Sequence, residues 1–309
     1  MLFCADAAYF QHMGATIASL LRSNSGHDFR IFVCSEKRDA EAEEKLSAIA
    51  SRFGNATLTF LEFGLEQHGN LRIDRYLTLS AYMRLFVTEF LEPSIEKVLY
   101  LDCDLVVSGG LGELWQTDLG GAYLGAVPEP YLVTPHWGFG PNDLYFNSGV
   151  LLIDVARWRA ANVLPKFLQF AEEHAAALNC HDQDVLNHVF RDQVRFLDYH
   201  WNFQSRFADF PAEAFKMSAE RFREVRRSPS IVHFTTKYKP WFYKYEPHYK
   251  RLYEEALALT PWRGQNPPDR APRAILRKSL TLKYLSARLK WHVPSLGNYL
   301  VAKRRSDPE

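Results

Sequence analysis

Residues 1–63, MLFCADAAYFQHMGATIASLLRSNSGHDFRIFVCSEKRDAEAEEKLSAIASRFGNATLTFLEF, switch repeatedly between two hydrophobic patterns, and that switching decides the fold class. Residues 2–5 are a short apolar run that reads as a buried strand with almost no lead-in. Phe10, Met13, Ile17, Leu20 and Leu21 then recur at three- and four-residue spacing, the period of a helix that ends near residues 24–26. Residues 29–34 form a second strand. Ala42, Leu46, Ile49, Ala50 and Phe53 mark a second helix, and residues 56–63 a third strand. Strand alternating with helix predicts an α/β protein: a mostly parallel, doubly wound (Rossmann-like) sheet with helices on both faces.

The rest of the chain extends the pattern. Ser80 can cap a helix running through Phe90, and residues 97–101 are the next strand. Residues 122–127 and 146–153 read as two more, and residues 231–234 as a buried one. Helices are expected near 163–178, 182–190 and 249–259. Residues 128–143 are rich in Pro, Gly and aromatics, and a loop of that length inside a compact domain is usually a lid or binding wall. Pro267 to Pro272 reads as a linker, dividing the chain into a folded unit, 1–266, and a tail, 267–309.

The chain has 309 residues, is 47% hydrophobic and 24% charged, and has a formal net charge of +1. That is ample material for a large core, and the net charge gives no global pull toward nucleic acid. The tail differs from the body. Arg270, Arg273, Arg277, Lys278, Lys283, Arg288, Lys290, Lys303, Arg304 and Arg305 occur with no acidic residue between them. Such a segment is suited to an anionic membrane surface, where each basic residue contributes about 1 kcal/mol; Tyr284, Trp291, Leu282, Leu285 and Leu289 supply apolar contacts. Cys4, Cys34, Cys103 and Cys180 are scattered, which fits reduced thiols in the cytosol. The sequence contains neither an apolar run of membrane-spanning length nor a signal-peptide layout at its start. The expected location is cytoplasmic, peripheral on the inner face of the membrane.

Four motifs carry chemistry. Asp102-Cys103-Asp104 follows the apolar run Val98-Leu99-Tyr100-Leu101, so two carboxylates stand at the carboxyl end of a buried strand, where doubly wound sheets bind ligands. Two hard oxygens there suit a divalent cation that also takes a diphosphate, although Asp-x-Asp is also common in solvated turns. Ile231-Val232-His233-Phe234 is followed by Lys237, Lys239, Pro240 and Trp241. The lysines suit a phosphate pocket, and imidazole suits Mn²⁺ better than Mg²⁺; a basic surface turn would read the same way. His181-Asp182-Gln183-Asp184 opens a helix, where Asp182 either caps the helix or points with Gln183 toward a sugar. Asn147 interrupts an apolar strand in Phe146-Asn147-Ser148-Gly149-Val150; left unpaired it would cost about 1–3 kcal/mol, so a ligand or network partner is expected.

In order along the chain, YLDCD, YFNSGVLLID, HDQDVLN and VHFTTKYKPW resemble the motifs of the family-8 retaining glycosyltransferases, the group of bacterial lipopolysaccharide galactosyl- and glucosyltransferases and glycogenin. The resemblance runs from Phe3 to about Trp262. It implies a GT-A fold, a UDP-sugar donor and a divalent cation, Mn²⁺ with Mg²⁺ possible. By the same resemblance Asp102, Asp104 and His233 match the metal ligands, Asp6 the carboxylate reading the uracil edge, and Tyr9 the aromatic stacked on it. Arg84, in AYMRL, matches a contact to the donor diphosphate and sugar, and Lys239 a lysine on the diphosphate. Cys103, between the two carboxylates, goes with the donor contacts. Asp182 and Gln183 match the pair beside the transferred sugar, Asn147 joins them as a catalytic candidate, and Glu129 falls where an acidic acceptor contact is often found. Thr236 stands where the family usually has Gly, and its hydroxyl either binds phosphate or deforms the pocket. Ala7 and Ala8 replace polar residues common there. The expected activity is transfer of glucose or galactose from UDP to a glycan or glycolipid acceptor such as lipopolysaccharide core. The alternatives are a UDP-sugar-binding protein without turnover and a UDP-sugar hydrolase.

Overall fold

Strand β1, Leu2–Cys4, pairs in parallel with β2, Phe29–Ser35, and β2 with β3, Ala56–Glu62, joined by helices α1, Phe10–Ser23, and α2, Ala40–Phe53. The computed structural model of the chain describes residues 1–64, 82–130, 139, 143–235, 239–242 and 248–265. Ser80, Thr236, most of the 128–143 loop and the whole 267–309 tail lie outside the described residues.

On the other side of β1 lies β4, Lys97–Leu101, again parallel. The sheet is completed by β6, Leu124–Pro128, β7, Phe146–Asp154, and β8, Val194–Phe196, in the order β3-β2-β1-β4-β7-β6-β8. Only β7 runs against its neighbours, pairing antiparallel with both β4 and β6. The mostly parallel α/β sheet expected from the sequence is therefore present, with one reversed strand. The base of the β6–β7 connection is clamped, with Pro128 opposite Phe146 and Glu129 N–H donating to Tyr145 O at 2.6 Å.

Alternation along the strands buries both faces of this sheet. Leu2, Phe32, Val98, Tyr100, Leu151 and Ile153 face a core shared with Phe86, Trp158 and Phe167. Phe3, Ile31, Leu99, Leu101, Val150 and Leu152 face the opposite core, filled by Met13, Ile17, Leu20 and Leu21 of α1 and Leu46 and Ile49 of α2. Gly54, at φ 74, ends α2 in the left-handed region that glycine enters without a steric cost.

A second sheet, β5-β10-β9, is built from Leu105–Val107, Ile231–His233 and Phe203–Gln204. Strand β5 follows β4 after only Asp102, Cys103 and Asp104, so the chain steps from one sheet to the other across the acidic motif. Helix α1 holds this step in place. The Thr16 hydroxyl lies 2.7 Å from Leu105 O and 3.1 Å from Cys103 O, and Val107 N–H donates to Ser19 Oγ at 3.0 Å. Where the sequence suggested one helix through Phe90, the described part is a 3-10 turn, Met83–Phe86, and one helical turn, Val87–Phe90.

Candidate active site

Two strand pairings assemble the site. In the small sheet β10 runs antiparallel to β5 with His233 opposite Leu105, and Phe234 N–H donates to Asp104 O at 3.0 Å, so His233 lies beside Asp104. In the large sheet β7 runs antiparallel to β4, and Asp102 N–H donates to Gly149 O at 2.8 Å, which brings Asn147-Ser148-Gly149 beside Asp102. The reversal of β7 is what puts the beginning of that strand at the carboxyl end of β4.

One ligand atom from each of Asp102, Asp104 and His233 lies within 4.8 Å of the other two. Each carboxylate has one oxygen tied to the protein and the other directed inward. Asp102 Oδ1 accepts from Tyr100 Oη at 2.8 Å and pairs with Arg84 Nη2 at 3.0 Å, while Oδ2 lies 3.5 Å from His233 Nε2. Asp104 Oδ2 pairs with Lys239 Nζ, while Oδ1 lies 3.1 Å from His233 Nε2. Burial would raise the Asp104 carboxyl, but Lys239 and His233 hold it well below the usual carboxylate range. Two carboxylate oxygens and an imidazole nitrogen are a fitting donor set for a divalent cation. The backbone also leaves room: a Cβ at Gly149 would fall 2.1 Å from His233 Cε1 and 2.6 Å from Asp102 Oδ2. Gly149 is thus a site residue by virtue of what it lacks, which the sequence showed only as part of a motif.

Arg84 joins this group to the Asp182-Gln183 pair. It is 7% exposed; Nη2 meets Asp102, Nε meets Asp182 Oδ2 at 3.1 Å, Nη1 donates to Ser148 O at 2.8 Å, and its plane lies over the Tyr100 ring. Burial opposes its charge, yet Asp102 and Asp182 push its pKa above the ordinary arginine value. Asp182 Oδ2 also accepts from Ser148 Oγ at 3.0 Å; burial pushes this carboxyl up and Arg84 pulls it partly back. Asp182 is not the helix cap. The helix Asp182–Val189 starts after His181, which makes no side-chain capping bond; instead Asp184 Oδ2 accepts the Asn179 and Cys180 N–H groups and Oδ1 accepts Tyr145 Oη. His181 sits at φ 49, ψ −117, a conformation costing a non-glycine residue about 1–3 kcal/mol, directly before the pair it presents.

Asn147 has the partners its burial demands. Its Nδ2 donates to Gln183 Oε1 at 3.0 Å, and its Oδ1 accepts from Gly149 N–H at 3.0 Å and from Asn202 Nδ2 at 2.8 Å. Gln183 Oε1 also accepts Ser148 N–H at 3.0 Å, so both of its lone pairs are committed. Asn202 carried no motif in the sequence and emerges only from the fold.

Residues matched to the nucleotide lie close by. Asp6 Oδ1 accepts Ala8 N–H at 3.0 Å, shaping the turn that ends at Tyr9. Tyr9 meets the Trp241 ring edge-on, and His12 stacks on Trp241 and bonds Tyr253 Oη at 2.7 Å. Burial lowers the His12 pKa to about 4, so this stack is neutral at physiological pH. Lys239, besides its pairing with Asp104, donates to Phe234 O at 2.7 Å. The Cys103 thiol is turned into the core, donating to Cys4 O at 3.4 Å, and burial raises its pKa. Glu129, 4% exposed, is held by Gln204 Nε2 and by Arg206 Nη2 at 2.8 Å, and its other oxygen, Oε1, is buried without a hydrogen-bond partner among the described residues.

A seven-stranded α/β sheet with an Asp-x-Asp step into a small second sheet is the GT-A fold. The sequence profile of glycosyl transferase family 8 matches residues 1–245, and the chain belongs to that family. It is 27% identical over 266 residues to general stress protein A of Bacillus subtilis, covering 84% of this chain and 93% of that protein. It is 25% identical over 274 residues to the lipopolysaccharide 1,2-glucosyltransferase of Escherichia coli K12, covering 85% and 79%. The fold matches the crystal structure of the galactosyltransferase LgtC in complex with donor and acceptor sugar analogues at a TM-score of 0.70 and 24% identity, over 84% of this chain and 95% of that one.

Proposed function

We propose that this enzyme transfers a hexose, glucose or galactose, from a UDP-sugar to a glycan acceptor such as lipopolysaccharide core, with retention of anomeric configuration and dependence on Mn²⁺. The observation that carries this reading is the convergence of Asp102 Oδ2, Asp104 Oδ1 and His233 Nε2 beside the Arg84-linked Asp182-Gln183 pair. The lipopolysaccharide glucosyltransferase among its relatives and the galactosyltransferase among its structural neighbours support the hexose and the acceptor class. Asp102, Asp104 and His233 would hold the cation, which when bound supplies Lewis acidity toward the donor's diphosphate.

Asp6 reads the edge of the base and Tyr9, braced by Trp241, stacks on it. Lys239 and Arg84 supply positive charge where the leaving diphosphate gains negative charge. Asp182, fixed by Arg84 and Ser148, accepts hydrogen bonds from the donor sugar's hydroxyls. Gln183 is a neutral amide whose carbonyl oxygen already accepts two protein N–H groups, so it contributes a fixed dipole and not a nucleophile. That arrangement favours acceptor attack from the leaving-group face, with a departing phosphate oxygen taking the proton. Glu129 contacts the acceptor. Residues 1–266 form the catalytic unit, and the basic tail rests on an anionic membrane surface at the cytoplasmic face.

UDP release measured over a panel of UDP-sugars, with and without Mn²⁺ and with and without glycan acceptors, tests the reading. Mn²⁺-dependent release that needs an acceptor supports transfer; acceptor-independent release would make the protein a hydrolase, and none at all a binding protein. Gln183→Ala should lower turnover about 10–10³-fold without abolishing it. A hexose trapped covalently on Asp182 or Gln183 would overturn the same-face route.

A further inference from the structure

Behind the metal group runs a linear chain of buried side chains, from the His233 imidazole through the amides of Asn202 and Asn147 to that of Gln183. Two backbone N–H groups, which can only donate, orient every member of it. Gly149 N–H meets Asn147 at 3.0 Å and Ser148 N–H meets Gln183 at 3.0 Å, so the atoms they meet are the amide oxygens. Asn147 therefore presents its Nδ2 to Gln183 Oε1. Asn202 lies 2.8 Å from that same Asn147 oxygen and must turn its own Nδ2 toward it. Its oxygen is then left facing His233 Nδ1 at 2.9 Å. An amide oxygen only accepts, so His233 carries a proton on Nδ1.

The consequence lies on the other side of the ring. With Nδ1 protonated, the neutral form of the ring has its lone pair on Nε2, which faces Asp104 Oδ1 at 3.1 Å and Asp102 Oδ2 at 3.5 Å. Three lone-pair-bearing atoms facing one another repel unless a cation stands among them. Without Asn202 the ring gains by moving its proton to Nε2 and donating it to Asp104, which fills the coordination position. Asn202 is 0% exposed and His233 2%, so water does not compete for Nδ1.

We propose that Asn202 is a positioning residue: its side-chain oxygen sets the His233 tautomer that leaves Nε2 ready for a cation, and Asn147 extends the same restraint to Gln183. The proposal rests on the metal-binding reading given above. Asn202→Leu removes the acceptor; Asn202→Asp keeps an acceptor at Nδ1 but loses the donor to Asn147.

Long-range ¹H–¹⁵N spectra of the histidine rings, recorded at about pH 9, well above the ordinary imidazole range, report the tautomer directly. Titration with Mn²⁺ alone, followed by the electron paramagnetic resonance of the free ion, reports affinity. The wild type should show the Nδ1–H form, and Asn202→Leu the Nε2–H form with Mn²⁺ affinity about 10–100-fold weaker. Asn202→Asp should keep the Nδ1–H form and bind Mn²⁺ no more weakly than the wild type. A wild-type ring protonated on Nε2, or an Asn202→Leu ring still protonated on Nδ1 with unchanged affinity, would overturn the proposal. Should the Leu variant fail to fold by circular dichroism, the wild-type spectrum and the Asp variant still decide. Wild-type protein that bound no Mn²⁺ would remove the metal reading and with it the proposed purpose of Asn202, a failure separate from a wrong tautomer.

Discussion

An alanine at position 149 would place a methyl group among the proposed metal ligands. Its Cβ would lie 2.1 Å from His233 Cε1, 2.6 Å from Asp102 Oδ2 and 2.8 Å from His233 Nδ1. Ordinary contact begins at 3.4 Å, so the imidazole would have to retreat by about 1.3 Å. It has little freedom to do so, being 2% exposed and bonded through Nδ1 to Asn202 at 2.9 Å. Retreat breaks that bond and carries Nε2 away from Asp102 and Asp104. Overpacking of this kind costs about 1–3 kcal/mol, and a 1 Å misplacement at a reacting centre costs about 100-fold in rate. Gly149→Ala should thus weaken Mn²⁺ binding by about 100-fold or more, lower turnover at least as far, and unfold several degrees earlier. Calorimetric Mn²⁺ titration and thermal unfolding measure all but the rate, and UDP release supplies that. Gly26→Ala, at a position with nothing within 4 Å, is the control. A Gly149→Ala protein that binds Mn²⁺ like the wild type would refute the geometry of the site.

Asp104 gives a pH dependence whose sign is fixed. A carboxyl held below its ordinary range contributes stability that is fully present above its unfolded pKa, about 4, and is lost as pH falls below that. Without metal, the wild-type unfolding midpoint should drop more steeply below about pH 4 than that of Asp104→Asn; parallel midpoint-against-pH curves would count against the pairing. Arg159 forks onto four backbone carbonyls, those of Leu91, Glu92, Pro93 and Ile95, at 2.7–3.2 Å. Arg159→Ala should cost about 1–3 kcal/mol in denaturant unfolding, and Arg159→Lys should recover little, because an ammonium lacks the planar fork.

The first two helices were legible because each carries a three- and four-residue hydrophobic period, and the first three strands because they are apolar runs alternating with those helices. The direction of β7 was not. Its run Phe146–Asp154 is apolar whichever way it points, and hydrophobic period carries no sign for strand direction. Strands β5 and β9 have three and two residues, too few to show any period, so the small sheet was invisible although His233 depends on it. Asp102, Asp104 and His233 could be picked out because their residue types are uncommon at the ends of apolar runs. Asn202 could not, because its place in the amide chain exists only once β9 and β7 are brought together. For Cys103 the motif gave the position but not the side; alternation after β4 turns its thiol toward the core.

The clamp at the base of β6 and β7 bears on how enzymes of this architecture diversify. Pro128 and Phe146 are paired, and Glu129 and Tyr145 are hydrogen-bonded, so the strands entering and leaving that connection are held independently of what lies between them. Doubling the length of a flexible connection costs only about 0.6 kcal/mol. Insertions in the stretch ahead of Phe139, which is itself buried in the core against Tyr145, are therefore inexpensive for stability, while Gly149 and Asp102 keep their mutual register. Evolution, or a loop graft, can rewrite that stretch as a cassette without disturbing the metal-binding frame.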